Sequence, residues 1–322
     1  MPDDKRRKGW IAATWGWSSA ILLAVAVPVG VALITIESAQ RGREASRLAA
    51  DAPPVTSAKA AFERIGFNVR RLQQTPAAVP RVLLPSLPRE LPHITNTGER
   101  KALFLTSMLP LVLQVNEIIQ AERERLLALR QMVEAGHPLS ADDHQWLKTL
   151  REKYRVEELD LDRLLRRVNV IPPSLALAQA AIESGWGTSR FAQQGNAIFG
   201  QWTWGDHGMI PRERREGSRH RIKTFDHPIE SVAAYARNLN THPAYAPLRA
   251  IREDLARSGR TIPGPSLIPG LRAYSERGDA YTRDLDAIIR GNRLTRFDGA
   301  YLEYSALAPE IDSPRQGTVA MR

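Results

Sequence analysis

The sequence contains no cysteine among its 322 residues. This absence excludes disulfides, a thiol nucleophile and zinc sites with cysteine ligands, and it leaves the redox compartment open. Histidine is scarce as well, and the spacing of His220, His227 and His242 is not that of a metal site. We therefore expect neither a metal nor a cofactor. No repeat of fixed period is visible, which argues against a solenoid.

Basic residues outnumber acidic residues in this chain. The 45 Lys and Arg against 35 Asp and Glu give a formal net charge of +10 and a pI near 10.2. Such an excess calls for a polyanionic partner or neighbourhood, and nucleic acid, anionic lipid headgroups and the carboxylate-rich bacterial wall all satisfy it. The hydrophobic content of 43% is that of an ordinary globular protein with a core.

Charge is absent from residues 9–36, directly after the basic residues at positions 5–8. As a helix this segment would reach about 42 Å, more than the roughly 30 Å of a hydrocarbon core. Trp10, Trp15 and Trp17 lie where an aromatic belt would form. We predict a retained transmembrane anchor at 9–36, with residues 1–8 in the cytoplasm. A buried helix of a soluble fold is one alternative.

A cleaved signal peptide is the other alternative for this segment. The apolar run is long for a signal peptide, and Glu37 places a carboxylate where cleavage sites prefer a small residue.

Residues 37–98 follow as a Pro-rich stretch. Its prolines exclude long helices and favour extended backbone, as in a linker or an arm packed on the domain.

Helical patterns begin near Glu99 and continue to Gly136, with Pro110 marking a kink or a break. Ser140 is expected to cap a second helix, and residues 158–170 form a third. Further helices are expected within 228–242, 249–258 and 279–290. Alternation in residues 219–225 predicts a strand pair. The fold class is therefore α+β and mainly α, with one small β lobe.

Residues 171–204 carry the chemistry. Pro172 and Pro173 predict the start of a helix, and Gly185 predicts its end. Glu183 then lies in the last turn, where the negative end of the helix dipole favours a protonated carboxyl. Nearby aromatic residues favour the same form by desolvation. A carboxylic acid that stays protonated near neutral pH is what a glycosidase needs to protonate a departing oxygen.

The segment AQAAIESGWGTSRFAQQGNAIFGQW resembles the signature of the bacterial glucosaminidase group, glycoside hydrolase family 73, and most of all its Bax-type branch. Twelve positions match that pattern at fixed spacing: Gln179, Ala180, Glu183, Ser184, Trp186, Gly187, Ser189, Phe191, Ala192, Asn196, Phe199 and Gly200. Tyr245, Tyr274 and Tyr281 also fit it. The resemblance covers roughly residues 100–292.

This resemblance implies a lysozyme-like domain at 99–292, followed by a C-terminal tail at 293–322. It implies a peptidoglycan hydrolase, an endo-β-N-acetylglucosaminidase that cuts β-1,4 glycosidic bonds with Glu183 as general acid. A non-catalytic wall-binding scaffold and a lytic transglycosylase are the alternatives. The protein would then be a single-pass protein of the inner membrane, with its catalytic domain facing the periplasm.

The second catalytic group is less well defined by the sequence. The resemblance implies an acid in the β lobe, or assistance from the N-acetyl group of the substrate. Glu216 is the preferred candidate because Glu216-Gly217 is typical of a turn, and Glu213 is the second. All of these acids could equally be surface charges, and Asp226 is expected to be an N-cap. Tyr245 either orients the water or the N-acetyl group, or is a core aromatic.

Substrate contacts are expected from aromatic and amide side chains near Glu183: Trp186, Asn196, Phe199, Gln201, Trp202 and Trp204. The aromatic residues could instead belong to the core, and the amides could stabilise loops. The arginines of 212–221 resemble a nucleic-acid patch, but no nucleic-acid-binding signature accompanies them. We therefore expect peptidoglycan and the membrane as partners, and no nucleic acid.

Overall fold

The computed structural model describes residues 57–72, 76–205, 208–211, 220–260 and 262–303. The predicted cytoplasmic head and membrane anchor lie outside the described residues. Helices in the described part are α1 (Ala58–Arg64), α2 (Thr97–Glu134), α3 (Ala141–Tyr154), α4 (Leu161–Arg167), α5 (Pro173–Ser184), α6 (Arg190–Gly195), α7 (Pro228–Thr241), α8 (Ala246–Arg257), α9 (Gly264–Leu267) and α10 (Asp279–Gly291). Short 3-10 turns add Val69–Arg71, Leu91–His93, Pro243–Tyr245, Ile268–Tyr274 and Leu294–Phe297.

Two small sheets complete the fold. Strands β2 (Trp202–Thr203) and β3 (Arg221–Ile222) are antiparallel, and they form the expected β lobe. Strands β1 (Ala78–Val79) and β4 (Tyr301–Leu302) are parallel. The prediction of a mainly helical α+β fold is confirmed.

Helix α2 lies at the centre of the fold. By length and composition it could cross a membrane, but 83% of its apolar window is buried inside the fold, as in a core helix. Pro110 lies within α2 and does not break it, so the break expected as one possibility is absent. Gln114 Nε2 donates to the carbonyl oxygens of Pro110 and Val82, at 3.2 and 2.9 Å. One amide thus ties α2 to the Pro-rich arm.

Helix α5 is buried along its length until its last turn. Pro173 begins it, and Asp298 binds its first turn from a distant part of the chain. The Asp298 carboxylate accepts hydrogen bonds of 2.8 Å from both the backbone N–H and the hydroxyl of Ser174. Because every face of α5 up to Ala181 is covered, the helix is a fixed platform for its C-terminal end.

Both ends of the described chain are folded together. The arm residues Phe62, Val69 and Leu91 belong to the core. Strand β1 of the arm pairs with β4, with Val79 opposite Leu302. Residues 294–302, which were predicted to belong to the C-terminal tail, therefore pack on the domain. The sequence obscured this pairing because two-residue strands leave no periodic pattern.

Buried arginines fasten the helix ends to one another. Arg252 of α8 is 1% exposed, and it donates to the carbonyl oxygens of Val170 at 3.0 Å and Arg166 at 2.9 Å. Arg249 donates to the carbonyl oxygens of Leu239 and His242, at 2.9 and 3.0 Å. The carbonyl groups at helix C-termini carry partial negative charge, which compensates these cations.

Candidate active site

Glu183 lies in the last turn of α5 and is half-buried. The helix ends at Gly185, whose φ of 58° is left-handed, and Trp186 N–H donates to the Ala181 carbonyl oxygen at 2.9 Å. This is the hydrogen bond by which a left-handed cap closes a helix. Trp186 and Gly187 also have positive φ, at 59° and 77°. Three consecutive left-handed residues turn the chain sharply away and leave the carboxyl of Glu183 at the helix end.

Gly187 has a steric reason besides its backbone angle. A Cβ at this position would lie 2.8 Å from Leu91 Cδ1 and 2.9 Å from Phe104 Cδ2. Ser184 fixes the same turn, because its hydroxyl donates to the Ala180 carbonyl oxygen at 2.6 Å and accepts from Gly187 N–H at 2.8 Å. The SGWG segment of the sequence signature therefore forms the turn that presents the carboxyl.

A chain of buried hydrogen bonds reaches Glu183 from the interior. Tyr235 Oη donates to Gln179 Oε1 at 2.7 Å, and Gln179 Nε2 donates to Tyr281 Oη at 2.9 Å. Tyr281 Oη in turn donates to Glu183 Oε1 at 3.0 Å. Gln179, Tyr235 and Tyr281 are all buried. Because the amide of Gln179 occupies both tyrosine hydroxyls, the proton of Tyr281 is directed to the carboxyl.

Further aromatic rings pack around this chain of hydrogen bonds. Tyr274 stacks on Tyr281 with ring centroids 5.4 Å apart, and Tyr245 lies against Tyr274 at 5.8 Å. Phe199 stacks on Tyr235 at 3.9 Å and 8°. Together the rings make a wall of low polarity on one side of Glu183.

Burial raises the pKa of Glu183 above its ordinary value, and the hydrogen bond from Tyr281 partly opposes that rise. Burial also raises the pKa of Tyr235, Tyr245 and Tyr274, and the nearby charge of Glu183 adds to the rise in each. A carboxylate surrounded by neutral phenols lacks the solvation that it would have in water. The site therefore favours the protonated acid.

Two tryptophans of the β lobe are exposed to solvent. Trp202 is 58% exposed and Trp204 is 73% exposed, and their rings meet edge to face at 6.5 Å. His220 stacks on Trp202 at 4.5 Å and 19°. The alternative that these tryptophans belong to the core is therefore wrong. His220 covers one face of Trp202, and the rest of both rings is open to solvent.

Two predicted contact residues are occupied by structural roles. Phe199 is 4% exposed beneath Tyr235, so it supports the site from the core and offers no open face. Asn196 Nδ2 donates to the carbonyl oxygens of Phe225 and Asp226, at 3.1 and 2.9 Å. The loop-stabilising alternative describes this amide, which ties the end of α6 to the start of α7.

The remaining predicted site residues are Trp186, Gln201 and Tyr245. Trp186 packs edge to face on Phe104 at 5.8 Å, and Lys101 Nζ lies 4.8 Å from its ring centroid. Gln201 Oε1 is buried and has no hydrogen-bond partner among the described residues. Tyr245 is 7% exposed, and burial is the main cause of its raised pKa, against a hydrogen bond with Asn238 that lowers it.

The predicted second carboxylate lies outside the described residues, since both Glu216 and Glu213 fall within 212–219. The prediction that Asp226 caps a helix is wrong. Helix α7 begins at Pro228, and His227 is its N-cap residue. Proline is favoured at the first helical position, which sets the cap one residue later than expected. In the described part of the chain, no group of three or more His, Asp or Glu side chains could hold a metal.

Sequence reasoning did not assign roles to Gln179, Tyr235 and Tyr281. A signal for Gln179 existed, because it precedes Glu183 by four positions and so shares its helix face. No local signal could place Tyr235 or Tyr281 beside them, since these residues lie 56 and 102 positions from Gln179.

Comparison with known proteins gives this site a context. A family model described as "Glucosaminidase: Mannosyl-glycoprotein endo-beta-N-acetylglucosaminidase" matches residues 160–294. Protein bax of Escherichia coli (strain K12) is 31% identical over 217 residues, which cover 65% of this chain and 75% of that protein. The aligned length exceeds the segment matched by the family model, so the likeness to Protein bax extends beyond it.

The crystal structure of the catalytic domain of the autolysin Auto from Listeria monocytogenes also matches. Its TM-score is 0.31 at 17% identity, and the match covers 53% of this chain and 96% of that domain. The family resemblance stated from the sequence is confirmed by the family model and by the identity to Protein bax. The chain belongs to the glucosaminidase family, glycoside hydrolase family 73, and it is a glycoside hydrolase.

Proposed function

We propose that this protein is an endo-β-N-acetylglucosaminidase that hydrolyses β-1,4 bonds in the glycan strands of peptidoglycan, with Glu183 as its general acid. Membership of the glucosaminidase family supports peptidoglycan hydrolase activity. The single observation that carries the role of Glu183 is its position. It is a half-buried carboxyl at a helix end, with a raised pKa, held by a tyrosine hydroxyl.

In the proposed reaction, Glu183 transfers its proton to the glycosidic oxygen as the bond to the sugar breaks. Oε1 already accepts the hydrogen bond of Tyr281, so Oε2 is the oxygen that carries the proton and faces the substrate. The carboxylate that results keeps the Tyr281 hydrogen bond, which stabilises the new charge. Positive charge develops on the sugar ring at the same time, and a second group is needed to activate water or to attack the ring.

We assign that second role to Glu216, with Glu213 and the N-acetyl group of the substrate as alternatives. A carboxylate at about 6.5–9.5 Å from Glu183 would activate water and invert the anomeric centre, whereas one at about 5–5.5 Å would act as nucleophile. Tyr245 supports either route through its hydroxyl, which would orient the water or the acetamido group. The charge of Glu183 raises the pKa of Tyr245, although less than burial does, and this supports their proximity.

Sugar binding is assigned to the exposed parts of the Trp202 and Trp204 rings, with Trp186 and Gln201 as further proposed contacts. Aromatic faces bury the apolar side of a sugar ring, and exposed aromatic pairs commonly mark binding sites.

The proposal extends to the cell envelope. A lysozyme-like domain formed by 99–292, held by a transmembrane helix at 9–36, would act on the wall from the periplasmic face of the inner membrane. The net charge of +10 suits a carboxylate-rich wall, and nucleic acid is not a partner in this proposal.

The test is digestion of purified peptidoglycan by the wild type, by Glu183→Gln, and by Glu158→Gln as a control at an exposed glutamate. Glu183→Gln should lose at least about 1,000-fold in rate, since it removes the proton donor. Glu158→Gln should match the wild type. Full activity of Glu183→Gln would contradict the assignment of Glu183.

Mass spectrometry of the products identifies the bond and the mechanism. Borohydride reduction before hydrolysis of the products should label N-acetylglucosamine ends, as expected of a glucosaminidase. Reduced muramic acid ends would show a muramidase. Anhydro-sugar ends, which lack the added water, would show a lytic transglycosylase and overturn the proposed hydrolysis.

A further inference from the structure

A polar cavity of about 660 Å³ lies at the turn that ends the helix of Glu183. Arg89, Pro92 and His93 of the arm form one side of it, and Thr188 and Arg190 belong to the other. The volume is within the range of about 300–1,000 Å³ typical of ligand sites. It is therefore large enough for a branch of a polymeric substrate.

Three cationic or titratable basic side chains line this cavity, and no carboxylate does. Arg89 and His93 are exposed, and Arg190 is half-buried. No ion pair joins any of the three to an acid among the residues that the structure describes. The neighbouring Glu90 lines a different cavity and accepts a hydrogen bond from Lys59 N–H at 3.1 Å. The cavity thus has positive charge without an internal partner.

The wall contributed by the arm is fixed to the active-site turn. Gln193 Nε2 donates to the Gly187 carbonyl oxygen at 2.7 Å and to the Pro88 carbonyl oxygen at 3.1 Å. Leu91 is fully buried, and its Cδ1 would lie 2.8 Å from a Cβ at Gly187. The basic groups of the arm are therefore held in register with the turn after Glu183, as a binding site requires.

The other wall is fixed to the β lobe. Arg190 donates through one guanidinium nitrogen to the Ile210 carbonyl oxygen at 2.9 Å, which leaves its other N–H groups for a ligand. Thr188 donates to the Gly185 carbonyl oxygen at 2.8 Å and so belongs to the same turn. Arg89 and His93 lie outside the segment 160–294 that matches the family model. The cavity is therefore built partly by the arm, outside the segment that the family model matches.

We propose that the cavity is a carboxylate-binding subsite for the peptidoglycan strand, with Arg89, Arg190 and His93 as its recognition groups. This inference rests on the proposed function, and it adds that the enzyme prefers strands that carry stem peptides. Stem peptides bear free carboxylates close to the glycan, and arginine binds carboxylates with paired N–H donors. Lactyl carboxylates of peptide-free strands have the same chemistry, and the experiment separates the two sources.

Calorimetric titration of the full-length protein tests the subsite. The protein carries Glu183→Gln to prevent turnover, and the ligand is a tetrasaccharide of the wall glycan with its stem peptides. Substitution of both arginines, Arg89→Gln and Arg190→Gln, should raise Kd about 3- to 30-fold, the range for two partly exposed charge pairs. Arg89→Gln alone should give part of this loss. The Arg89 side chain makes no hydrogen bond to described residues, so its substitution does not put folding at risk.

The matched control is the exposed pair Arg257→Gln and Arg260→Gln, for which Kd should change less than about twofold.

Two further ligands identify the source of the carboxylate. With every carboxyl converted to its methyl amide, the ligand should bind the arginine variants and the parent equally. An equal loss of affinity of the arginine variants for the peptide-free tetrasaccharide would identify the lactyl group as the ligand, which would support the carboxylate subsite and overturn the preference for stem peptides. An unchanged Kd for the peptide-bearing ligand, or an equal loss for the amidated ligand, would overturn the proposal.

Failure of the proposed function gives a different result. A wild-type protein that cuts no peptidoglycan would refute the hydrolase assignment, while the comparison of dissociation constants would still test the cavity. A parent protein with no measurable affinity for the peptide-bearing ligand would refute the subsite whatever the cleavage assay shows.

Discussion

The hydroxyl of Tyr281 donates a hydrogen bond of 3.0 Å to Oε1 of Glu183, although 98 positions separate the two residues in the sequence. Helix α5 supplies the carboxyl and helix α10 supplies the hydroxyl. The contact between these two helices therefore determines which oxygen of Glu183 is occupied and which remains for chemistry. It also couples the protonation of the acid to the packing of the domain.

Tyr281→Phe should shift the pH dependence of activity. The hydrogen bond of Tyr281 stabilises the charged carboxylate and lowers the pKa of Glu183, against the larger effect of burial. Its removal raises that pKa further. Because the protonated acid is the active form in the proposed mechanism, the descending alkaline limb of kcat/KM should move to higher pH. Rates on peptidoglycan from pH 4 to 9 measure this.

The control for that shift is Tyr301→Phe, at a 52% exposed tyrosine on β4. It removes a tyrosine hydroxyl that makes no contact with Glu183, so it should leave the alkaline limb unchanged. An alkaline limb that stays in place, or moves to lower pH, in Tyr281→Phe would show that the hydroxyl does not stabilise the ionised acid.

Gln179→Met should impair both stability and turnover. The amide of Gln179 occupies the hydroxyls of Tyr235 and Tyr281, and a thioether would leave the Tyr235 hydroxyl unsatisfied and the Tyr281 hydroxyl with Glu183 alone. An unsatisfied buried polar group costs about 1–3 kcal/mol. Urea unfolding should show a loss in that range, and kcat should fall because Tyr281 is no longer held.

A second substitution separates these two effects. Adding Tyr235→Phe to Gln179→Met removes the unsatisfied hydroxyl, so part of the unfolding free energy should return. The kcat defect should remain, since Tyr281 still lacks its partner. Recovery of both quantities together would mean that Gln179 acts on the site only through overall stability.

Most predicted helix ends agree with the structure, because helix ends depend on a few adjacent residues, although the predicted cap Asp226 does not. Pro173 begins α5 and Gly185 ends it as expected. Ser189 caps α6, accepting from Ala192 N–H at 3.2 Å, and Ser140 caps α3 in the same way. In each case the side chain and the backbone group it binds lie within one turn.

The rest of the site depends on contacts between distant segments. The hydroxyls that surround Glu183 come from α7 and α10, and no periodicity indicates which face of those helices meets α5. Phe199 illustrates the limit. An aromatic residue beside a catalytic motif is expected equally at a sugar or in the core, and only the packing of Tyr235 against it decides for the core.

The stability of the protein should fall as pH rises through the titration of Glu183. Burial raises the folded-state pKa of this group above its ordinary value of 4.5, so the folded state binds its proton more tightly than the unfolded state does. By linkage, the unfolding free energy decreases between the unfolded and folded pKa values and then stays constant. Ionised Glu183 thus opposes folding at neutral pH.

Glu183→Gln tests this linkage, because glutamine keeps an acceptor for Tyr281 and has no charge. It should be more stable than the wild type at pH 7, and the difference should shrink toward pH 4. Thermal unfolding at both pH values, with Glu158→Gln as the control, measures the change. A difference that grows on acidification would mean that the folded protein stabilises the carboxylate.

Gly187→Ala should destabilise the turn after Glu183 by about 1–3 kcal/mol, through left-handed backbone strain and crowding. The φ of Gly187 is 77°, and the added methyl group would lie 2.8 Å from Leu91 Cδ1. Gly66→Ala is the matched control, since Gly66 has a φ of 69° with nothing within 4 Å of an added Cβ. It therefore has the backbone strain alone.

The difference between these two glycine variants in urea unfolding isolates the steric effect of the neighbours Leu91 and Phe104. Gly187→Ala should also lower kcat on peptidoglycan, since displacement of the turn moves the carboxyl of Glu183, whereas Gly66→Ala should not. Because Leu91 belongs to the arm, Leu91→Ala added to Gly187→Ala makes room for the new methyl group and should recover part of the lost kcat. No recovery in this double variant would mean that contact with the arm is not the reason for glycine at position 187, and would leave the backbone angle and the contact with Phe104 as its causes.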